Sequence, residues 1–400
     1  MGEWRKVRVA DVAVDKGLVG GPFGSSLGSK DYVPSGVPVI RGVNLGSDAR
    51  FDPREFVFVS EDKVNNELSR NTAEPGDIVF TQRGTLGQVG IVPPSPYERY
   101  VISQSQMRLR ADTRIVDPEF IYYQFKSPRM LETIESRAIT TGVPHINLGI
   151  LAELELVLPS RAEQQAIAAV LGALDDKIAV NERIAGGADE LRRNLFEQYT
   201  TDDKSPTRSL PLSSAADFIN GRAFTKEATG TGRMVIRIAE INSGPSGSTV
   251  YNDIDVPEQH LARPGDVLFA WSGSLTVARW FRPEAIINQH IFKVVPKPGI
   301  PTWLAFELTR SKLDEFKAIA ADKATTMGHI QRRHLDEPVS MPAVEDVPRL
   351  DAELRPLWER ALTAEQENQT LAQLRDILLP KLMSGELRVR DAEKMVEDAT

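Results

Sequence analysis

Two ordered sets of polar side chains stand out in this 400-residue chain as groups able to do chemistry. The first is Arg41, Asn44, Gln82, Arg83, Thr85, Gln104, Gln106 and His145. The second is Arg237, Asn242, Ser272, Ser274, Gln289, His290, His329 and Arg332. Arginine, asparagine and glutamine make two-pronged contacts with guanine or adenine edges, while serine, threonine and basic side chains suit phosphate oxygens. The chemistry of such a set is the reading of nucleic acid rather than the breaking of bonds, and these residues are the candidate DNA-binding site.

Catalytic patterns fail on spacing. The run Gly20-Gly21-Pro22-Phe23-Gly24-Ser25-Ser26-Leu27-Gly28-Ser29-Lys30 lacks the Gly-Lys-Ser/Thr step of a phosphate loop, because Ser29 intervenes. Pro93-Pro94 lies between Val92 and Ser95, so it is not the Asn/Asp-Pro-Pro-aromatic loop of adenine methyltransferases. Asp52 with Glu61-Asp62-Lys63 has the residue types of a Mg²⁺-dependent nuclease, but reads better as a solvated loop. His329 and His334 have no recurring acidic third ligand, which disfavours zinc. With no cysteine, disulfides, thiolate metal sites and cysteine nucleophiles are excluded together. No catalytic, cofactor-binding or metal-binding residue is expected in the chain.

Bulk composition narrows the class further. No apolar stretch approaches the roughly 18 residues that span a bilayer, so no membrane contact is expected. The cysteine-free composition fits a reducing cytoplasm. Net charge is −8, yet residues 205–343 hold 16 basic against 14 acidic side chains and residues 344–400 hold 8 against 13. DNA binding therefore has to use local positive surface on the two large blocks, since phosphate neutralisation dominates affinity.

Behind these residues lies an internal repeat. Glu74-Pro75-Gly76-Asp77-Ile78-Val79-Phe80 returns as Arg263-Pro264-Gly265-Asp266-Val267-Leu268-Phe269. Val39-Ile40-Arg41 returns as Val235-Ile236-Arg237, and Ile102-Ser103-Gln104 as Ile287-Asn288-Gln289. Gln82-Arg83 and Thr85 align with Trp271-Ser272 and Ser274, His145 with His329, and Leu191-Arg192 with Leu374-Arg375. By position, Asn44 answers to Asn242, and Gln104 and Gln106 lie near Gln289 and His290. One ancestral unit is used twice, alike at Pro-Gly-Asp and unlike at the polar positions.

Each copy opens with strands. Pro-Gly-Asp is a turn that launches the apolar runs Ile78–Thr81 and Val267–Ala270. A helical segment follows at about 119–136 and again at 301–320, so the class is α+β. Each copy then ends in a long helix. Ser160-Arg161-Ala162-Glu163 is a capping box that starts the first. Its seam carries Ile167, Leu174, Asn181, Ala188 and Leu195 with Val170, Ile184 and Leu191. The second seam carries Leu354, Ala361, Asn368 and Leu382 with Leu350, Leu357, Ala364, Leu371 and Leu378. The two seams match in length and could run antiparallel, with Gly186-Gly187 and Pro356 as weak points. The expected plan is a block at 1–159, a helix at 160–204, a second block at 205–343, a second helix at 344–386 and a tail at 387–400 that is a frayed helix or disordered. Thr201–Thr207 serves as the linker.

The chain resembles the specificity subunit of a type I restriction-modification system over about residues 4 to 388. The resemblance is carried by Gly21-Pro22-Phe23-Gly24-Ser25, Pro75-Gly76-Asp77-Ile78-Val79, Thr141-Gly142-Val143-Pro144-His145-Ile146, Leu158-Pro159 with Glu163-Gln164-Gln165-Ala166-Ile167-Ala168, and Leu374-Arg375-Asp376 with Leu378 to Leu387. The second block departs from it at Thr325-Thr326-Met327-Gly328-His329-Ile330, which lacks the Val-Pro step. The resemblance implies two target-recognition domains joined by two long antiparallel spacer helices that pair as a coiled coil, a pseudo-two-fold internal repeat. It also implies a non-catalytic subunit that selects a split double-stranded DNA sequence for two methyltransferase subunits and, when present, restriction-translocase subunits. S-adenosylmethionine, ATP and Mg²⁺ would belong to those partners. Partner binding is expected on the helices, with Asp175 and Asp176 as surface charges.

Overall fold

The computed structural model describes residues 4–24, 26–46, 49–202, 204–321 and 328–399. Ser25, Asp203 and Thr325-Thr326-Met327, which belong to segments singled out above, lie outside them. The chain divides into two compact units, residues 1–179 with 370–400, and residues 180–369.

In the first unit, Arg5–Arg8 pairs antiparallel with Glu155–Leu158. A four-stranded antiparallel sheet has the order Ala13–Gly20, Gln106–Ala111, Ile78–Thr81, Val89–Ile91. A five-stranded sheet has the order Tyr32–Val33, Val57–Val59, Val37–Ile40, Tyr100–Ile102, Thr72–Ala73, with Val37–Ile40 parallel to Tyr100–Ile102.

The second unit holds corresponding sheets. Thr207–Pro211 pairs with Pro338–Pro342. The four-stranded antiparallel sheet runs Ala216–Asn220, Ile291–Pro296, Val267–Ala270, Thr276–Arg279. The mixed sheet runs Tyr251–Asn252, Arg233–Ile236, Ala285–Ile287, Leu261–Ala262, again with one parallel pair. Among the described residues it has no counterpart of the edge strand Tyr32–Val33.

The unbroken apolar runs have a simple cause. Side chains alternate across a strand, and both faces of these strands are covered. Ile78 and Phe80 enter one core while Val79 enters another, and Val267 and Phe269 are likewise separated from Leu268 and Ala270. The Pro-Gly-Asp turns that launch them also agree. Gly76 and Gly265 have φ of 86° and 93°, which glycine adopts without strain at the third position of a type II turn. Asp77 N–H donates to Glu74 O at 3.0 Å and Asp266 N–H to Arg263 O at 2.9 Å. Each aspartate also accepts the N–H of the first turn residue, at 2.8 and 2.7 Å.

The helical segment expected at 119–136 is two helices, Pro118–Lys126 and Pro128–Arg137. Pro128 has no N–H to continue the first helix and holds Ser127 in an extended conformation. The second copy divides into Thr302–Ser311 and Leu313–Ala321.

Arg161–Thr201 is one helix through Gly186-Gly187, and Val347–Ser384 is one helix through Pro356. Ser160 Oγ accepts Glu163 N–H at 3.3 Å, as an N-cap should. Beside it, Gln164 ties the start of the helix to neighbouring segments. Its Oε1 accepts Asp117 N–H at 3.0 Å and its Nε2 donates to Pro159 O at 3.1 Å.

The apolar stripes of the helices also pack on the blocks they touch. In the first unit Leu171, Leu174, Leu371 and Leu378 share a core with Phe120 and Leu156. In the second, Phe196, Leu350 and Leu354 share one with Trp303. Within that second unit Asn181 Nδ2 donates to Glu367 Oε2 at 2.8 Å, Ala185 packs with Ala361 and Ala364, and the Arg192 guanidinium lies 5.0 Å from the Trp358 ring centre. Advancing along one helix segment retreats along the other, so they run antiparallel there.

Two expectations are corrected. Asp175 is not a surface charge but 7% exposed, accepting Tyr123 O–H at 2.7 Å and Arg375 Nη1–H at 3.0 Å. Asp176, which is exposed, pairs with Arg50. The C-terminal segment expected to fray forms the helix Val389–Ala399, with Ala392 buried and Val389 and Val396 packed on the first core. Trp4 lies beside Gly385, in the first unit.

Candidate nucleic-acid interface

In the first unit the residues after strand Ile78–Thr81 are zipped to two other segments. Gln82 N–H donates to Ser105 O at 2.6 Å, Ile146 N–H to Gln82 O at 3.0 Å and Gly84 N–H to Pro144 O at 3.4 Å. Arg83 and His145 form a bridge, which is why Thr141–Ile146 matters to the site. Gly21 N–H donates to Gln106 O at 2.8 Å, and a Cβ at Gly21 would stand 2.0 Å from Ser103 O. Only glycine permits that approach.

These segments enclose an open cleft of about 610 Å³ lined by Arg41, Arg83, Thr85, Gln104 and Gln106, together with Thr81, Gln88 and Ser103. Five candidate residues are thus brought together. Arg83 is exposed and makes no side-chain hydrogen bond or ion pair among the described residues. Arg41 donates through Nη2 to Glu55 O, and its buried Nε has no partner there. Gln106 Oε1 accepts the Ser103 hydroxyl, and Gln104 Nε2 donates to Leu27 O at 2.6 Å and to Gly24 O.

Gln82, His145 and Asn44 do not line the cleft. Asn44 is fully buried, and its Nδ2 donates to Asp52 O at 3.0 Å and Arg54 O at 2.8 Å while its Oδ1 accepts Arg41 N–H at 2.9 Å. Both of its N–H groups are spent on the loop, so it positions Arg41 and has no donor left for a base. Thr81, Gln88 and Ser103 were missed. Nothing in their local sequence distinguishes them, because the sheet brings them to the cleft.

The second unit repeats the zipper. Trp271 N–H donates to His290 O at 3.2 Å, Ile330 N–H to Trp271 O at 3.1 Å and Gly273 N–H to Gly328 O at 2.9 Å, with Ser272 bridged to His329. Gly221 N–H donates to Ile291 O at 3.0 Å, and a Cβ there would stand 2.1 Å from Asn288 O. This register pairs Ser105 with His290 and Gln104 with Gln289, so Gln106 answers to Ile291 rather than to His290.

Different side chains occupy this common backbone. Trp271 lies 5.7 Å from His290 and 6.4 Å from His329, ring centre to ring centre, and its Nε1–H donates to Asn220 Oδ1 at 2.9 Å. Ser272 is buried, whereas Ser274, Asn242 and Arg332 are exposed. Asn288 Oδ1, Gln289 Oε1 and His290 Nδ1 are buried without a partner among the described residues. Trp271 and Asn288 were not singled out as site residues.

The pairing of Asn44 with Asn242 is corrected by the hydrogen bonds. Arg237 N–H donates to Glu240 Oε2 at 2.9 Å, as Arg41 N–H does to Asn44, so Glu240 is the counterpart. Glu240 also takes Arg237 Nε–H at 3.0 Å and Thr249 O–H at 3.0 Å. Burial opposes its charge, but the hydrogen bonds from Arg237 and Thr249 prevail and hold its carboxyl below the ordinary value. The Arg237 guanidinium is thereby committed to Glu240 and to Ser248 O at 2.8 Å.

A family model described as "Type I restriction modification DNA specificity domain" matches residues 1–186. A relative, the type I restriction enzyme MjaIX specificity subunit of Methanocaldococcus jannaschii, is 23% identical over 97% of this chain and 94% of its own length. Residues 1–186 thus match the DNA specificity domain of type I restriction-modification systems, and the chain is similar over nearly its whole length to a specificity subunit of such a system. The HindI specificity subunit of Haemophilus influenzae is 26% identical over 34% of this chain and 30% of its own. The crystal structure of the S subunit from M. genitalium superposes with a TM-score of 0.63 at 18% identity, covering 95% of this chain and 96% of that one. Its fold is therefore shared by this α+β chain. Specificity subunits are non-catalytic, DNA-recognising adaptors of systems that also contain methyltransferase and restriction subunits. Among the described residues there is no group of three or more side chains suited to a metal ion, and no helix long and apolar enough to cross a membrane.

Proposed function

We propose that this chain reads a bipartite DNA target, one half-site through each unit, and presents it to two methyltransferase subunits for adenine methylation, with restriction-translocase subunits acting on the same choice. The observation that carries this reading is the shared zipper with unlike side chains. Gln82, Arg83, Ser105 and His145 occupy the backbone positions that Trp271, Ser272, His290 and His329 occupy in the other unit. One scaffold used twice with different polar faces suits two independent half-sites.

In the first unit Arg83, Thr85 and Arg41 are the readers, with Gln104 and Gln106 shaping the cleft floor and Gln82 and His145 beside it. In the second, Gln289, His290, His329 and Ser274 face the target, with Ser272, Arg332 and Asn242 around them. The long helices are the spacer of a duplicated, pseudo-two-fold plan, pairing as an antiparallel coiled coil and setting the gap between half-sites. S-adenosylmethionine, ATP and Mg²⁺ reside on the partners, and the complex works in the cytoplasm.

Mapping methylated adenines after assembly with the methyltransferase subunits tests the reading. Two defined blocks separated by an unspecified gap are expected, with no methyl transfer by the chain alone. A single continuous target, or transfer by the chain alone, refutes it.

A further inference from the structure

Phe23 is 91% exposed, on the loop that borders the first unit's cleft. A phenylalanine this free of contacts stands out, because aromatic rings ordinarily bury most of their surface. The loop nevertheless holds it firmly. Gly21 is pinned against Ser103 O and donates its N–H to Gln106 O at 2.8 Å, and Pro22 restricts the next step. Beyond the ring, Ser26 N–H donates to Phe23 O at 3.2 Å, Gln104 Nε2 donates to Gly24 O and Leu27 O, and the Leu27 side chain is buried in its own core. The ring projects because its backbone is tied down on both sides.

Its surroundings indicate what would cover it. Leu27, Gly28 and Gln104 line the cleft, so the loop is part of the cleft wall. Two other side chains more than half exposed border the same site: Val43 lines the cleft, and Val143 precedes Pro144, whose carbonyl accepts Gly84 N–H. The floor between them is polar, with Arg41, Arg83, Thr85, Gln88, Gln104 and Gln106. A protein partner buried here would be expected to meet a contiguous apolar patch. Apolar tips around a polar, arginine-bearing floor instead match a nucleic acid, whose base edges and phosphates take the floor and whose base faces take a ring.

The second unit does not repeat the feature. After Gly221 its chain reads Arg222-Ala223-Phe224, and Phe224 packs beside His260, 5.7 Å between ring centres, on a core with Val235 and Ile286.

We infer that Phe23 is a wedge that stacks on or between bases of the half-site read by the first unit, unstacking one step there and none in the other half-site. This rests on the reading above that the unit binds DNA. The ring adds affinity without naming a base, since every base offers a face, and it marks where the duplex is deformed.

The test uses the full chain assembled with its methyltransferase subunits and target duplexes carrying 2-aminopurine at single positions through each half-site. The half-site of the first unit is identified as the one relaxed by R83A. Wild type is expected to raise the fluorescence several-fold at one position of that half-site. F23A should abolish the rise and weaken binding about tenfold, and F23W should restore both. Absence of a fluorescence rise with wild type bound specifically, or an unchanged rise with F23A, overturns the wedge while leaving the DNA reading intact. Loss of subunit assembly by F23A with the DNA signals unchanged assigns the ring to a protein contact and also overturns it. Failure of the wild-type complex to bind DNA specifically removes the underlying reading and the wedge with it.

Discussion

Arg192 and Glu307, 1% and 0% exposed, are joined by a hydrogen bond from Nε to Oε1 of 3.0 Å. The guanidinium lies over the rings of Phe306 and Trp358, and the other carboxylate oxygen accepts Arg310 Nε–H at 2.7 Å. Arg375 holds the equivalent place in the first unit's sequence, but there it pairs with Asp175. A shared scaffold has solved the same burial problem with different acids.

Breaking the second unit's pair takes from the buried Arg192 its fully buried acid and leaves it to the partly exposed Asp189. Glu307→Ala is expected to destabilise that unit by about 3 to 5 kcal/mol. The double change Arg192→Met with Glu307→Leu should recover most of this loss, because neither charge then remains buried. Urea unfolding of the full chain checks both. A single substitution costing under about 1 kcal/mol would show that the pair does not hold the helix to the block.

The Arg237–Glu240 pair predicts an acid-side weakness. Its carboxyl sits below the ordinary 4.5 in the folded chain, so the stabilisation is fully present above that value and is lost as pH falls through the depressed one. Glu240→Gln should therefore flatten the fall in stability between about pH 5 and pH 3. The measurement is the urea midpoint against pH for both proteins, and parallel curves would count against the pair.

Reading and positioning roles separate by assay. Alanine at Gln82 and Arg83 should weaken or relax one half-site by about 1 to 3 kcal/mol per lost two-pronged contact, leaving stability and the other half-site unchanged. Asn44→Ala should instead cost about 1 to 3 kcal/mol of stability, since the fully buried Asn44 ties the Asp52 and Arg54 carbonyls and the Arg41 N–H together. Binding to duplexes altered in one half-site, with thermal unfolding in parallel, distinguishes the two. Equal damage to both half-sites by the Gln82 and Arg83 changes would argue against a divided target.

The helix lengths predict the gap. Four residues inserted between Asn181 and Gly186 add about 6 Å to the helix, close to two base pairs of DNA, and turn its far end about 40° past a full turn. The methylated sequence should keep its bases and gain one or two unspecified pairs. Altered bases with an unchanged gap would show that the helices do not set the spacing.

Wherever a short stretch of chain settles its own structure, the sequence was sufficient. Pro-Gly-Asp closes a four-residue turn through its own atoms, the apolar runs after it call for burial on both faces, and Ser160 caps the helix that begins beside it. The doubled order of these signals, with the Gly-Pro-Phe-Gly and Leu-Pro motifs, was enough to point to the family. Only the tertiary structure decided what depends on partners far along the chain. Asn44 and Arg41 looked alike as readers until the loop through Asp52 to Glu55 consumed one and left the other at the cleft. Asp175 looked like a surface charge on a helix until Tyr123 and Arg375 closed over it. The pairing of His290 with Ser105 follows from backbone hydrogen bonds between distant segments, and that of Glu240 with Asn44 from the side-chain oxygen that each offers to the arginine N–H three residues before it. A side chain's availability depends on whether another segment satisfies its donors and acceptors, and residue type and spacing along one strand or helix do not encode that.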